Sequence, residues 1–148
     1  MAKGGIISAI HQGSLAEELE LVPGDKIISI NEQELTDIID LSFALADEEI
    51  EMLIEHENGE QEIIAFEKDI DEELGAEFES AVFGKIRQCA NNCYFCFVDQ
   101  VAPNMRDSLY IKDDDYRLSF LYGNFVTMTN MGPRDLERIH RLHLSPLY

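Results

Sequence analysis

The chain has 148 residues, 45% of them hydrophobic, which is enough for one medium domain or two small ones with a buried core. Its net charge of −19 is uneven: residues 1–80 hold 23 Asp/Glu against 3 Lys/Arg, a balance of −20, and residues 81–148 hold 7 against 8, a balance of +1. The first half would repel phosphate backbones and the second has no basic stripe interleaved with aromatics, so no nucleic-acid partner is expected.

Four short β-prone runs mark the first half as strands: GIISAI (5–10), DKIISIN (25–31), IEMLIE (50–55) and QEIIAF (61–66). Between the first two, Ser14-Leu15-Ala16-Glu17 fits a capping box that opens a helix. Val22-Pro23-Gly24-Asp25 fits a type II turn, with Pro presetting φ at the second position and Gly supplying positive φ at the third. Thr36 is placed to cap a second helix running to Asp47, with Leu35, Ile38, Ile39, Leu41, Phe43, Leu45 and Ala46 on its buried side and Asp37 and Asp40 near its positive end. Asn58-Gly59 predicts a two-residue hairpin joining the last two strands.

This order of elements, with "GIISAI…GSLAEELELVPGDKIISINEQEL", resembles the PDZ domains of bacterial proteases over residues 3–68, so residues 1–68 are assigned to a PDZ-like domain of α+β class. PDZ domains bind extended peptides by adding a strand to a sheet edge beside a helix. The resemblance implies a groove between Gly5–Ile10 and the Thr36–Asp47 helix, with Lys3-Gly4-Gly5 as a partial counterpart of the carboxylate-binding loop. A domain of balance −20 disfavours an acidic peptide end. The groove's partner is therefore either a peptide or an intramolecular ligand from the rest of the same protein.

Residues 69–80 are acidic and weakly periodic, and read as a connector with a short strand at its end. AVFGKIRQ (81–88) then reads as a strand running into "CANNCYFC", which holds every cysteine of the chain: Cys89, Cys93 and Cys96. Three thiols at this spacing do not suggest a disulfide scaffold. No run of about 18 apolar residues suggests a membrane span, and the first residues lack the apolar stretch of a signal peptide. A cytoplasmic protein with reduced thiols and no membrane partner is expected. Four residue steps reach at most about 14 Å and three about 11 Å, so the three sulfurs can surround one inorganic group. Thiolates are soft ligands for zinc or for iron–sulfur clusters. A closed zinc site would need a fourth donor, such as His140 or His143. A 4Fe-4S cluster held by three cysteines keeps one iron open to a ligand.

The C-x3-C-x2-C spacing, with Phe95 before the last cysteine, is similar to the signature loop of the radical S-adenosylmethionine superfamily. That resemblance implies that Cys89, Cys93 and Cys96 hold a 4Fe-4S cluster and that its free iron chelates S-adenosylmethionine. It also implies that Phe95 lies near the adenine. The implied chemistry is one-electron reduction of the sulfonium, release of methionine and hydrogen abstraction by a 5′-deoxyadenosyl radical. Together with the PDZ-like half, "CANNCYFCFVDQ" and "RDSLYIKDDDYRLSFLYGNFVTMTN" resemble a bacterial family of PDZ and radical S-adenosylmethionine-like proteins described as iron–sulfur oxidoreductases. Residues 81–148 are accordingly assigned to the beginning of an α/β, partial TIM-type barrel. A whole barrel needs about 200 residues or more, so the chain reads as the N-terminal part of a longer protein.

The glycine-glycine-glutamate stretch that many members use for the cofactor's amino group has no clear counterpart here; Thr127, Thr129 and Asn130 are the available polar groups. Asp113-Asp114-Asp115 reads as a solvated turn before a strand "YRLSFLYGNFVTMT", whose aromatics pack on a sheet. Gly132-Pro133 starts a helix with apolar residues 136, 139 and 142 facing a sheet. His140 and His143 read as a surface pair, and His11 and His56 form no pattern. Two functions remain open: a radical S-adenosylmethionine-type oxidoreductase served by a separate electron donor, and a peptide-binding adaptor whose cysteine loop is a zinc clip or is unmetallated.

Overall fold

In the strand Glu49–Glu55 (β4), Ile50, Met52 and Ile54 are buried while Glu49 and Glu51 face solvent, the period-2 pattern of a sheet with one face on a core. A computed structural model describes residues 4–148, so Lys3 of the Lys3-Gly4-Gly5 stretch lies outside the described residues. The chain divides into two units, one running up to Lys85 and the other spanning Ile86–Tyr148.

In the first unit, β4 sits in a six-stranded antiparallel sheet with Gly5–Ile10 (β1), Lys26–Ile30 (β2), Gln33–Glu34 (β3), Gln61–Glu67 (β5) and Ala76–Phe78 (β6). The order is β5-β4-β2-β1-β6, with β3 paired to β2. Helices Leu15–Glu18 (α1) and Ile38–Ala44 (α2) complete the unit. Its core gathers Ile7, Ile27, Ile30, Leu35, Met52 and Ile54, each at most 1% exposed. Burying one such side chain stabilises the fold by about 1.5–3 kcal/mol.

The turns follow their residue chemistry. Pro23-Gly24 closes with the Asp25 N–H donating to the Val22 carbonyl at 3.1 Å, and Gly24 has φ +101°. Ser14 caps α1 by accepting the Glu17 N–H, while the Glu17 carboxylate accepts the Gly13 N–H at 2.6 Å, one residue before the cap. The cap of α2 is Asp37 rather than Thr36: its carboxylate accepts the Asp40 N–H at 2.9 Å, and Asp40 accepts the Thr36 N–H at 3.1 Å. The Asn58-Gly59 hairpin closes over three residues, because only Gly59 takes positive φ and the His56 N–H bonds the Glu60 carbonyl beyond it.

Residues 69–80 do more than connect. Leu74 is 4% exposed in the core, and the strand expected at the end of this stretch is β6, which pairs with β1. The run 81–88 is not the expected strand. Ala81, Val82 and Phe83 are buried in the first unit, and only an isolated bridge, Gln88 to Asp113, is formed further on.

The second unit carries a 3-10 turn at Asp107–Tyr110 and helices Tyr116–Tyr122 (α3) and Pro133–Arg141 (α4). The strand expected over residues 116–129 is thus a helix at its start: Asp115 caps it, accepting the Arg117 N–H, and Gly123 ends it in the left-handed conformation at φ +75°. The aromatics of that run do not share a sheet face. Tyr116 is 3% exposed, and Tyr122 and Phe125 are more than 60% exposed. Pro133 starts α4 as expected, but Leu136 is 52% exposed and no sheet lies in this unit among the described residues. The beginning of an α/β barrel is therefore not shown by Ile86–Tyr148.

Candidate functional site

Cys89 is held where the chain leaves the Arg87-Gln88 stretch, its N–H donating to the Lys112 carbonyl at 2.7 Å. From there the loop turns tightly, with the Cys96 N–H donating to the Cys93 carbonyl at 3.1 Å. All three cysteines are free and half-buried. All three line one cavity of about 680 Å³, together with Phe95, Phe97, Phe125 and Thr127. The structure thus brings the three predicted cysteines and Phe95 to a common space.

The rim of that space is apolar and open. Phe95, Phe97 and Phe125 are each more than 60% exposed, and Phe97 meets Phe125 edge-on at 6.1 Å between ring centroids. Exposed aromatic rings around a concave space are costly to leave in water and suit a planar ligand.

Lys112 also lines this cavity. The Lys112 ammonium lies 2.6 Å from the Asp99 carboxylate, which raises the lysine above its ordinary pKa; the fields of Cys96 and Cys89 add to this. Asp99 is held below the usual carboxylate range, first by Lys112 and also by a hydrogen bond from Cys96.

Behind the loop, the aspartate run expected to be a solvated turn is instead a buried brace. Asp114 and Asp115 are each 1% exposed. Asp114 accepts the Thr127 N–H at 2.6 Å and the Thr127 hydroxyl at 2.7 Å. Thr127 and Thr129 share a hydroxyl bond of 2.8 Å, and Thr129 accepts from the Asn91 amide at 2.7 Å, inside the cysteine loop. Asn130 donates to the Gln88 and Asp114 carbonyls, so it braces backbone rather than joining that relay.

Asp115 is reached by Arg117 at 2.6 Å and by the Arg87 N–H at 3.0 Å. Burial pushes its carboxyl up, but these bonds together outweigh burial and hold it below the ordinary range. Arg87 also grips Asp135 in α4 with two bonds of 2.7 and 2.5 Å, and its guanidinium lies 5.5 Å from the centre of the Tyr116 ring. Residues 87–88 are thereby fixed to α3 and α4 immediately before Cys89. Asp114, Asp115, Arg87 and Asp135 carried no expected role; the sequence signal that was present is the Asp115 to Gly123 spacing of a capped helix.

His140 and His143, the candidate fourth ligands for zinc, are exposed, 6.4 Å apart between ring centroids, and do not line the cysteine cavity. Among the described residues no three His, Cys, Asp or Glu side chains are arranged as a ready site for one metal ion. No helix of the described residues is long and apolar enough to cross a membrane.

Two family models match the chain. Residues 6–56 match the model of the PDZ domain. Residues 68–148, more than half of the chain, match the model of the radical SAM-like domain. No curated protein matches the chain. The first part thus carries a PDZ domain, and by the longer match the chain belongs to the radical SAM-like domain family.

Proposed function

We propose that Cys89, Cys93 and Cys96 hold a 4Fe-4S cluster with S-adenosylmethionine at its open iron, and that the chain is the cluster-bearing part of a radical S-adenosylmethionine-type oxidoreductase. The observation that supports this reading is the shared cavity: the three cysteines of one tight loop line a single space together with Phe95, Phe97 and Phe125. A cluster several ångström across needs its sulfurs further apart than one ion bound by all of them does. A lone zinc would need a fourth ligand, and neither His140 nor His143 lines the space.

When bound, the cluster supplies an electron to cleave the sulfonium of S-adenosylmethionine, with a separate protein as electron donor. The chain's own residues have simpler tasks. Lys112 offsets the negative charge gathered by the thiolates, and Phe95 offers a ring face to the adenine. Thr127 lines the same space with its hydroxyl held by Asp114 and Thr129, so it shapes the wall beside the amino-acid end of the cofactor. The relay through Thr129 to Asn91 keeps the loop backbone in register with that hydroxyl. The α/β barrel of such enzymes is part of the same proposal, as is a cytoplasmic site, where thiols stay reduced.

Reconstitution with iron and sulfide in the absence of oxygen tests this. The expected product is brown, with charge-transfer absorption that vanishes in the Cys89→Ala, Cys93→Ala, Cys96→Ala triple variant. A colourless protein that takes up one zinc per chain overturns it.

A further inference from the structure

Strand addition needs a free sheet edge, because the captured peptide is held by main-chain N–H and C=O groups that no other strand has taken. The edge expected to receive a ligand is that of β1. One side of β1 pairs with β2, and the other is already filled by β6, antiparallel, with Ile7 opposite Phe78, Ala9 opposite Glu77 and Ile10 opposite Ala76. The ladder runs on as the Glu79 N–H donates to the Ile6 carbonyl at 3.0 Å.

The chain then crosses to the other wall of the groove. The Ala81 carbonyl accepts the Ile38 N–H at 2.8 Å, and the Phe83 N–H donates to the Thr36 carbonyl at 3.0 Å, so residues 81–83 are tied to the start of α2. Val82 is 2% and Phe83 7% exposed, and the Phe83 ring packs on Phe78 at 5.5 Å. Gly5 makes room for both rings. A Cβ there would stand 2.5 Å from Phe83 and 2.8 Å from Phe78.

We infer that residues 76–83 are a built-in ligand of the PDZ groove, a latch that closes it to peptides in trans. Two further observations support the assignment. Residues 76–83 fall inside the match to the radical SAM-like domain, yet they are folded into the unit that carries the PDZ match. The segment also passes through the groove without ending there, so it brings no terminal carboxylate into a part of the chain with balance −20. A tethered segment acts at an effective concentration of the order of millimolar, which a free peptide at micromolar concentration does not match.

The test uses the full chain and a fluorescent synthetic peptide of residues 76–83. Glu79→Pro removes the N–H bonded to Ile6, and proline leaves Phe78 in the extended region it already occupies. The wild-type chain is expected to show no binding at concentrations that saturate Glu79→Pro, a difference of tenfold or more. In the wild-type chain, hydrogen exchange of the Glu79 and Phe83 amides is expected to be slowed at least a hundredfold relative to an unfolded chain. Equal peptide binding by the two proteins overturns the latch, as does a folded Glu79→Pro that binds nothing. If Glu79→Pro does not fold, the exchange measurement decides: Glu79 and Phe83 amides exchanging at unfolded-chain rates overturn the proposal.

Discussion

Asp114 accepts both the N–H and the hydroxyl of Thr127, at 2.6 and 2.7 Å, while only 1% of its surface meets solvent. A buried carboxylate of this kind is a positioning device: it determines where the Thr127 hydroxyl stands and, through Thr129, where Asn91 of the cysteine loop stands. Asp114→Ala leaves two donors without their acceptor. The expected loss is about 2–3 kcal/mol, read as a lower urea midpoint, with faster alkylation of the three cysteines by iodoacetamide. Asp114→Asn keeps one acceptor oxygen and is expected to fall between the two. Unchanged alkylation in a folded Asp114→Ala chain would show that the relay does not hold the loop.

The Arg87–Asp135 pair gives the second unit a dependence on acid. Arg87, and then the Gly132 N–H, hold the Asp135 carboxyl below its usual value of 3.8 against the opposing effect of burial. Its contribution is therefore complete above that value and is lost as pH falls through the lower folded value. Because the pair is partly exposed, solvent screening keeps the contribution near 1 kcal/mol. Asp135→Asn is expected to lower the melting temperature at about pH 7 and to flatten the acid limb of a melting-temperature series. An acid limb as steep as that of the wild type would remove this pair from the account.

His56 works in the opposite sense. Its bonds to Asp25 at 2.9 Å and Glu62 at 3.4 Å raise it above 6.5, Asp25 being the larger influence. The stability it adds is complete below the unfolded value of 6.5 and declines as pH rises through the raised folded value. NMR titration of the His56 ring is expected to give a midpoint above that of His56 in the urea-unfolded chain. Thermal melts of His56→Gln should lack the corresponding decline; a decline of wild-type size would place its origin elsewhere.

Gly75 is required twice over. Its φ is +74°, and a Cβ there would lie 2.3 Å from the Cβ of Ser14, the residue that caps α1. Gly75→Ala is expected to cost about 2–4 kcal/mol through backbone strain and displacement of that cap. Gly59→Ala is the control, since Gly59 has φ +89° with open space around it and should cost only about 1 kcal/mol. Equal midpoints for the two variants in denaturant would show that the Ser14 contact is relieved without cost.

Much of the first unit was readable because its signals are local. Alternation along β4, the Pro23-Gly24 turn and the apolar runs of β1, β2 and β5 each depend on neighbours within a few positions. The same reading failed at residues 116–122, where aromatics suited to a strand lie between Asp115 and Gly123 and the caps outweigh the β propensity. The spacing of Cys89, Cys93 and Cys96 was legible as a set. Their common cavity with Phe125 and Thr127 was not, since those residues lie about thirty positions further along and only folding brings them there.

Short-range chemistry decided where the strands, turns and thiol cluster would fall, because hydrophobic period, restricted φ and ligand softness belong to the residues themselves. Folding in three dimensions decided the rest: that the adjacent carboxylates of Asp114 and Asp115 turn inward, and that residues 76–83 fill the β1 edge. The physical reason is that a buried polar group or an open edge is tolerable only once a hydrogen-bond partner arrives. For Asp114 that partner is 13 residues away in sequence, and for the β1 edge it is about 70.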